Sequence, residues 1–85
     1  GLTSIDGRFD FIITNPPFHQ GKNTDYQFAQ NLFKQAKQHL VKDGQLWLIA
    51  NRHLGYEEWA QEAFDHVEVM LQEKGFKLIC AQEPR

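Results

Sequence analysis

Residues 9–18 read FDFIITNPPF, a nearly continuous apolar run that ends abruptly at two prolines. Such a run predicts a strand that is covered on both faces, as the strands of parallel sheets are. Proline has no amide hydrogen to donate to a strand ladder, and it disfavours the helical conformation in the residue before it. We therefore expect a buried strand at Phe9–Thr14 that stops at Asn15.

A helix and a second strand are predicted next. Residues 24–27 read TDYQ, which matches a capping box and predicts that the helix begins at Thr24. Apolar residues then recur at helical spacing as far as Leu40, and Asp43-Gly44 supplies the stop. They are Ala29, Leu32, Phe33, Ala36 and Leu40. Residues 46–50, LWLIA, predict a second buried strand, so strand, helix and strand form one right-handed crossover unit.

The last third of the chain predicts a short helix and a closing hairpin. Residues 67–71 and 76–80 alternate between apolar and polar side chains, with Glu73-Lys74-Gly75 between them. The residues expected on one face of the preceding helix are Tyr56, Trp59, Ala60, Ala63 and Phe64. The prediction is an α/β fold with two parallel strands, two helices and an antiparallel hairpin, in a single domain.

Composition narrows the class of protein. The 85 residues are 41% hydrophobic and 24% charged, which is ordinary for a globular domain and excludes disorder. A net charge of -2 supplies no general attraction for nucleic acid, so a polyanion would need a local patch. The single Cys80 excludes an intrachain disulfide and fits a reducing cytoplasm, and four scattered histidines predict no metal site. No apolar stretch approaches the roughly 18 residues of a membrane span.

Two polar loops follow the two predicted parallel strands, at residues 15–23 and 51–55. In an open α/β sheet, ligands bind beyond the carboxyl ends of the strands. The fold is therefore expected to bring Asn15 and Asn51 to one edge, although they lie 36 residues apart.

The first loop has the chemistry of a clamp for an amino group. The Asn15 side-chain oxygen and a main-chain carbonyl of Asn15-Pro16-Pro17 can accept the two hydrogens of an amine. Fixing both hydrogens orients a lone pair that is otherwise delocalised into a π system. Phe18 can stack on a base, worth about 1–3 kcal/mol. An isolated Asn-Pro-Pro favours simple strand termination with a core Phe18, but its place between a buried strand and a helix favours the clamp.

Residues 9–19 and 49–54 together resemble the S-adenosylmethionine-dependent ribosomal RNA guanine-N2 methyltransferases, and the similarity runs from about Gly7 to Ala81. The first motif alone is shared with DNA adenine and protein glutamine methyltransferases. The resemblance implies the carboxyl-terminal half of a Rossmann-like class I methyltransferase. Residues 1–85 would be one partial domain that supplies the fourth to seventh strands of a seven-stranded sheet whose last strand is antiparallel.

The resemblance also assigns roles to residues. Asn15 and the Pro16 carbonyl would hold the guanine amino group, Pro17 would complete the rigid turn and Phe18 would pack on the base, with Asn15 also touching the cofactor. Contacts with RNA are predicted for a further set of loop residues. The alternative is simple solvation for His19 and Gln20 and local loop bonds for Arg52 and His53. These residues are His19, Gln20, Asn51, Arg52 and His53.

The implied cofactor is S-adenosylmethionine, without a metal. The glycine-rich turn and the acidic residue that grip it in the family have no counterpart, since the chain contains no Gly-x-Gly. Gly1 in place of an initiating Met also suggests a fragment. We therefore expect the isolated chain to lack most of the cofactor site and to be inactive.

Ribosomal RNA or a ribosomal subunit in the cytoplasm is the implied partner, with no membrane involved. In isolation, Phe9–Thr14 would leave an unpaired edge, which predicts dimerisation or strand exchange. Two other functions stay open: methylation of DNA adenine-N6 or protein glutamine-N5, and an inactive half-domain that acts as a scaffold or binding module.

Overall fold

The computed structural model describes residues 9–14 and 21–85, which form one four-stranded sheet and two helices. The elements in chain order are β1 (Phe9–Thr14), α1 (Lys22–His39), β2 (Leu40–Asn51), α2 (Tyr56–Ala60), β3 (Phe64–Glu73) and β4 (Phe76–Pro84). The strands lie in the order β1-β2-β4-β3. β1 is parallel to β2, whereas β4 is antiparallel to both of its neighbours. Three strands therefore run in one direction and β4 runs in the other.

α1 begins earlier than the capping box predicts. The N-cap is Gly21, with φ 128° and ψ 145°, and no side chain caps the helix. The Asp25 amide donates to the Gly21 carbonyl at 2.8 Å, which closes the first turn, while Thr24 is exposed inside the helix. The predicted start at Thr24 is wrong, because a glycine at positive φ turns the chain into the helix without a side-chain cap.

α1 also ends earlier than the sequence predicts, at His39 rather than near Asp43-Gly44. Leu40 is already extended, with φ -91° and ψ 139°, and is the first residue of a 12-residue β2. In the pairing of β1 with β2, Phe9 lies opposite Leu40 and Phe11 opposite Gln45. Asp43 and Gly44, which were expected to stop the helix, therefore lie at an irregularity within β2, because the pairing of Phe9 with Leu40 extends the strand toward its start.

The core lies between α1 and one face of β2 and β4. Four residues of the predicted helical stripe are confirmed as buried on α1: Ala29, Leu32, Phe33 and Ala36. Leu40 is buried as well, but as the first residue of β2. On β2, Leu46, Leu48 and Ala50 are buried, whereas Trp47 and Ile49 on the opposite face are only half-buried. In the part of the chain that the structure describes, the predicted second strand is therefore fully buried on one face and half-buried on the other.

α2 is shorter than predicted. It ends at Ala60, and Phe64, which was expected on its buried face, begins β3 instead. Phe64 still enters the core: it has no exposed surface, and its ring meets the Phe33 ring edge-on with centroids 6.1 Å apart. The apolar spacing thus predicted correctly that Phe64 is buried but assigned it to α2 and not to β3. A residue at the end of an apolar pattern fits the helical and the strand period equally well.

The closing hairpin is confirmed. β3 and β4 are antiparallel, with Glu73 opposite Phe76, and the turn is Lys74-Gly75 at φ 50° and 87°. Two consecutive positive φ values are typical of the two-residue hairpin turn that matches strand twist. Cys80 on β4 is buried.

Among residues 9–14 and 21–85, no helix is long and apolar enough to cross a membrane.

Candidate functional site at the carboxyl edge of the sheet

β1 and β2 end at the same edge of the sheet. Thr14, the last residue of β1, lies opposite Leu48, and β2 continues three residues further to Asn51. Because the two strands are parallel, the segment after Thr14 and the segment after Asn51 both leave from this edge. The six predicted site residues of the first segment lie outside the described residues: Asn15, Pro16, Pro17, Phe18, His19 and Gln20.

The second segment is an ordered turn built on Asn51. The Asn51 Oδ1 accepts the His53 amide at 2.8 Å, and the Asn51 carbonyl accepts the Leu54 amide at 3.1 Å. This is the Asx type of turn, in which a side-chain oxygen replaces a backbone acceptor. Asn51 is exposed, but its side-chain oxygen already shapes the turn. The structure thus gives Asn51 local bonds within the turn, and its predicted contact with substrate stays a prediction.

Arg52 and His53 occupy the tip of this turn, and both are exposed. The Arg52 amide donates to the Gly75 carbonyl at 2.9 Å, which fastens the turn to the β3–β4 hairpin. Backbone bonds therefore hold the turn while the guanidinium and imidazole groups stay accessible to solvent. An exposed arginine and histidine on a fixed turn are suited to contacts with phosphate or with base edges.

A buried ion pair lies beneath the turn, and sequence reasoning missed it. Lys77 on β4 is 3% exposed, and its ammonium group donates to the Leu54 carbonyl at 2.6 Å and pairs with the Glu57 carboxylate. The sequence pointed the other way, since the alternation at residues 76–80 puts Lys77 on the polar face, whereas the structure buries it on the same face as Ile79. A lysine in an otherwise apolar face requires a partner, because an unpaired buried charge is costly.

The first turn of α1 packs against α2 beside this edge. The Tyr26 ring meets the Trp59 ring at a centroid distance of 5.5 Å, and Trp59 meets Tyr56 at 5.2 Å. The Tyr26 hydroxyl donates to Glu62 Oε1 at 2.7 Å and accepts from Gln30 Nε2 at 2.7 Å. These contacts connect the helix that follows the first loop to the helix that follows the second.

Tyr56 and Asp25 are buried in the contact between α1 and α2, which we call the seam; their relative exposures are 1% and 3%. Desolvation of the phenol, and secondly the negative charge of Asp25, raise the pKa of Tyr56 to about 12. Tyr56 therefore stays neutral at physiological pH. Its role is structural, because its side chain belongs to the hydrophobic core.

The residues that the structure describes include no glycine-rich turn of the kind that grips a nucleoside cofactor. No Gly-x-Gly occurs in the chain, and the glycines with positive φ, Gly21 and Gly75, belong to a helix N-cap and a hairpin turn. Within residues 9–14 and 21–85, no group of three or more His, Cys, Asp or Glu side chains is placed to hold a metal ion.

The chain matches the family model of the methyltransferase small domain over residues 2–80. It is 42% identical over 82 residues to the ribosomal RNA small subunit methyltransferase C of Acinetobacter baylyi, covering 96% of this chain and 24% of the relative. It is 45% identical over 76 residues to the protein of the same name from Pseudoalteromonas translucida, which covers 89% of this chain and 22% of that relative. The chain thus spans about a quarter of the length of the curated relatives it matches.

A solved structure has a similar fold. The chain superposes on a T. thermophilus 16S rRNA N2 methyltransferase, in complex with AdoMet and guanosine, with a TM-score of 0.69 and 31% identity. The match covers 91% of this chain and 20% of that one. The small α/β domain described above therefore has the fold of part of that methyltransferase.

Proposed function

The chain belongs to the methyltransferase small domain family, and on that premise we propose that it forms the substrate-binding part of a ribosomal RNA guanine-N2 methyltransferase. S-adenosylmethionine would supply the methyl group, and the acceptor would be the exocyclic amine of one guanine. The reaction belongs to the full-length protein in the cytoplasm, with ribosomal RNA or a ribosomal subunit as its partner. Support comes from the names of the relatives and from the guanosine in the similar solved structure.

The observation that carries this proposal is the parallel pairing of Thr14 with Leu48, while β2 ends at Asn51. Asn15-Pro16-Pro17-Phe18 directly follows Thr14 in the sequence, so the proposed clamp starts at the edge that presents Arg52 and His53. In this proposal Asn15 and the Pro16 carbonyl accept the two amine hydrogens, and Phe18 stacks on the guanine. Holding both hydrogens orients the nitrogen lone pair for attack.

Arg52 and His53 would bind the RNA beside the target base. Both side chains are exposed on a turn that is anchored by backbone bonds, so little conformational entropy of the backbone is lost when RNA binds. A guanidinium group can pair with a phosphate through two parallel hydrogen bonds. His19 and Gln20 are proposed to contribute from the first loop.

We assign β1, β2, β3 and β4 to the fourth, fifth, sixth and seventh strands of a Rossmann-like methyltransferase sheet. The assignment is supported by strand direction, since β4, the last strand, is the one that runs against the other three in the described sheet. The cofactor would be held mainly by other parts of the full-length protein, with Asn15 touching it from this chain, because the sequence contains no Gly-x-Gly. The 85-residue chain alone is therefore proposed to be inactive.

The test is methyl transfer by the full-length protein carrying Asn15→Ala. We expect kcat on small-subunit ribosomal RNA to fall at least about 100-fold, because the amine would lose a fixed acceptor in the transition state. Asn31→Ala, at an exposed position on α1, is the matched control and should retain normal turnover. Normal turnover of Asn15→Ala would reject the clamp.

The methylated product identifies the substrate class. Labelled S-adenosylmethionine should place methyl groups on guanine N2 in ribosomal RNA, as identified by mass spectrometry of the digested product. Transfer to DNA adenine or to a protein glutamine, with none to ribosomal RNA, would reject the proposed substrate while leaving the family assignment intact.

A further inference from the structure

Lys77 is a charged residue at a buried position on the core face of β4, where the neighbouring residues are apolar. It lies opposite Ala50 on the core face of β4 and is followed on that face by Ile79 and Ala81, neither of which has exposed surface. Replacing a buried ion pair by apolar residues of similar volume is often neutral or stabilising. The need for a stable core therefore does not explain why a lysine occupies this position.

The Lys77 ammonium group joins three elements. From β4 it donates to the Leu54 carbonyl at 2.6 Å and pairs with Glu57. Leu54 belongs to the β2–α2 turn, which is residues 52–55, and Glu57 lies in the first turn of α2. The Lys77 side chain is 4% exposed and that of Glu57 is 31% exposed, so water competes little for the ammonium group.

The same end of β4 holds the turn from a second side. The Gly75 carbonyl, next to the first residue of β4, accepts the Arg52 amide at 2.9 Å, and Asn51 lies opposite Phe76. One bond thus fixes the start of the β2–α2 turn, and Lys77 fixes its end. Arg52 and His53 lie between these two anchors, with exposed side chains.

We propose that Lys77, together with Glu57, is a positioning residue that orients Arg52 and His53 toward an RNA strand at the carboxyl edge. This inference rests on the proposed function. Lys77 does not touch the RNA, because it is buried beneath the turn. It acts through the Leu54 carbonyl, which belongs to the residue directly after His53, and the rigid turn then presents both side chains in one arrangement.

The kinetic test uses the full-length protein with labelled S-adenosylmethionine and small-subunit ribosomal RNA. The main variant is Lys77→Met with Glu57→Leu, which removes the pair without leaving a buried charge. Glu57→Gln is a milder second variant. We expect the double variant to raise KM for RNA about tenfold with kcat within about twofold, because uniform binding is lost. Affinity for S-adenosylmethionine should not change, and Lys34→Met, at an exposed position on α1, should behave as wild type.

Amide hydrogen exchange supplies a readout that is independent of activity. We expect exchange at residues 52–55 to speed up in the double variant, while residues 46–49 of β2 keep their protection. Unchanged KM and unchanged exchange at the turn would overturn the proposal, as would a lower melting temperature with unchanged KM. If wild-type protein methylates no RNA guanine, the proposed function fails, and exchange at the turn alone then decides whether Lys77 positions it.

Discussion

Gly21 sets the point at which the chain enters α1. Its φ of 128° and ψ of 145° lie in a region that is open essentially to glycine alone, and its carbonyl receives the first helical bond. A β-carbon at Gly21 would meet no atom within 4 Å, so the constraint is the backbone conformation and not a lack of space. The helix therefore starts where a strained geometry is tolerated, three residues before the predicted Thr24.

Gly21→Ala should lower the free energy of unfolding of the full-length protein by about 1–3 kcal/mol, the usual cost of forcing a side chain into this region. Gly55→Ala is the matched control, because Gly55 has φ -85° and its added β-carbon would meet Trp59 Cε2 at an ordinary 3.7 Å. We expect the control to change stability by less than about 1 kcal/mol in either direction. Equal costs in chemical denaturation would contradict the assigned strain.

At the scale of elements, α1 and α2 are joined by a seam that contains both aromatic packing and a buried carboxylate. Tyr26, Trp59 and Tyr56 form two successive edge-to-face contacts, and Asp25 is buried beside Tyr56. Because α2 has only five residues, its position depends on this seam and on the Glu57 ion pair more than on its own hydrogen bonds. The seam thus contributes to holding the β2–α2 turn.

The seam predicts a loss of stability at alkaline pH. The pKa of Tyr56 is about 12 in the folded protein and 10.0 for an ordinary tyrosine, so the unfolded chain releases this proton first. Between about pH 10 and 12 the contribution of Tyr56 should fall by up to about 1.4 kcal/mol per pH unit. Chemical denaturation across this range should show a shallower decline for full-length Tyr56→Phe than for wild type. If the free energy of unfolding declined equally with pH in both proteins, burial would not raise the pKa of the Tyr56 phenol.

At the scale of the whole molecule, the sheet has two outer strands with different protection. β3 carries Asp65, Glu68 and Glu73, and its register with β4 shifts between Val69 and Leu71. Charges and register irregularities of this kind discourage further strand pairing. β1 has one charged residue, Asp10, and its sole neighbour in the described sheet is β2. We therefore expect further strand pairing to occur at the β1 edge.

The isolated 85-residue chain should associate through β1 into dimers or larger species at micromolar concentrations, by strand pairing or exchange. Analytical ultracentrifugation of the chain and of a Val69→Lys variant separates the two edges. Val69 is 38% exposed on β3, so a charge there would disrupt association through β3 alone. We expect both samples to associate equally. A monomeric wild-type chain would contradict the prediction, and a monomer formed by Val69→Lys alone would assign association to β3.

Local pattern was sufficient for much of this fold. The strand at Phe9–Thr14, the buried stripe of α1 and the hairpin around Lys74-Gly75 were predictable, because periodicity and turn chemistry act over a few residues. The resemblance of residues 9–19 and 49–54 also identified the family that the family model matches. The roles of Asn15 through Gln20 stay predictions, since those residues lie outside the described part of the chain.

The sequence by itself thus determined which segments are apolar, where the hairpin turns and which family the chain resembles. Only the tertiary structure decided that Leu40 leaves α1 for β2, that Phe64 begins β3, and that Lys77 reaches back 23 residues to Leu54. The physical reason is range. Pairing between strands and the pairing of a buried charge act between residues that are distant in the chain, whereas the local preferences that place an element boundary are small.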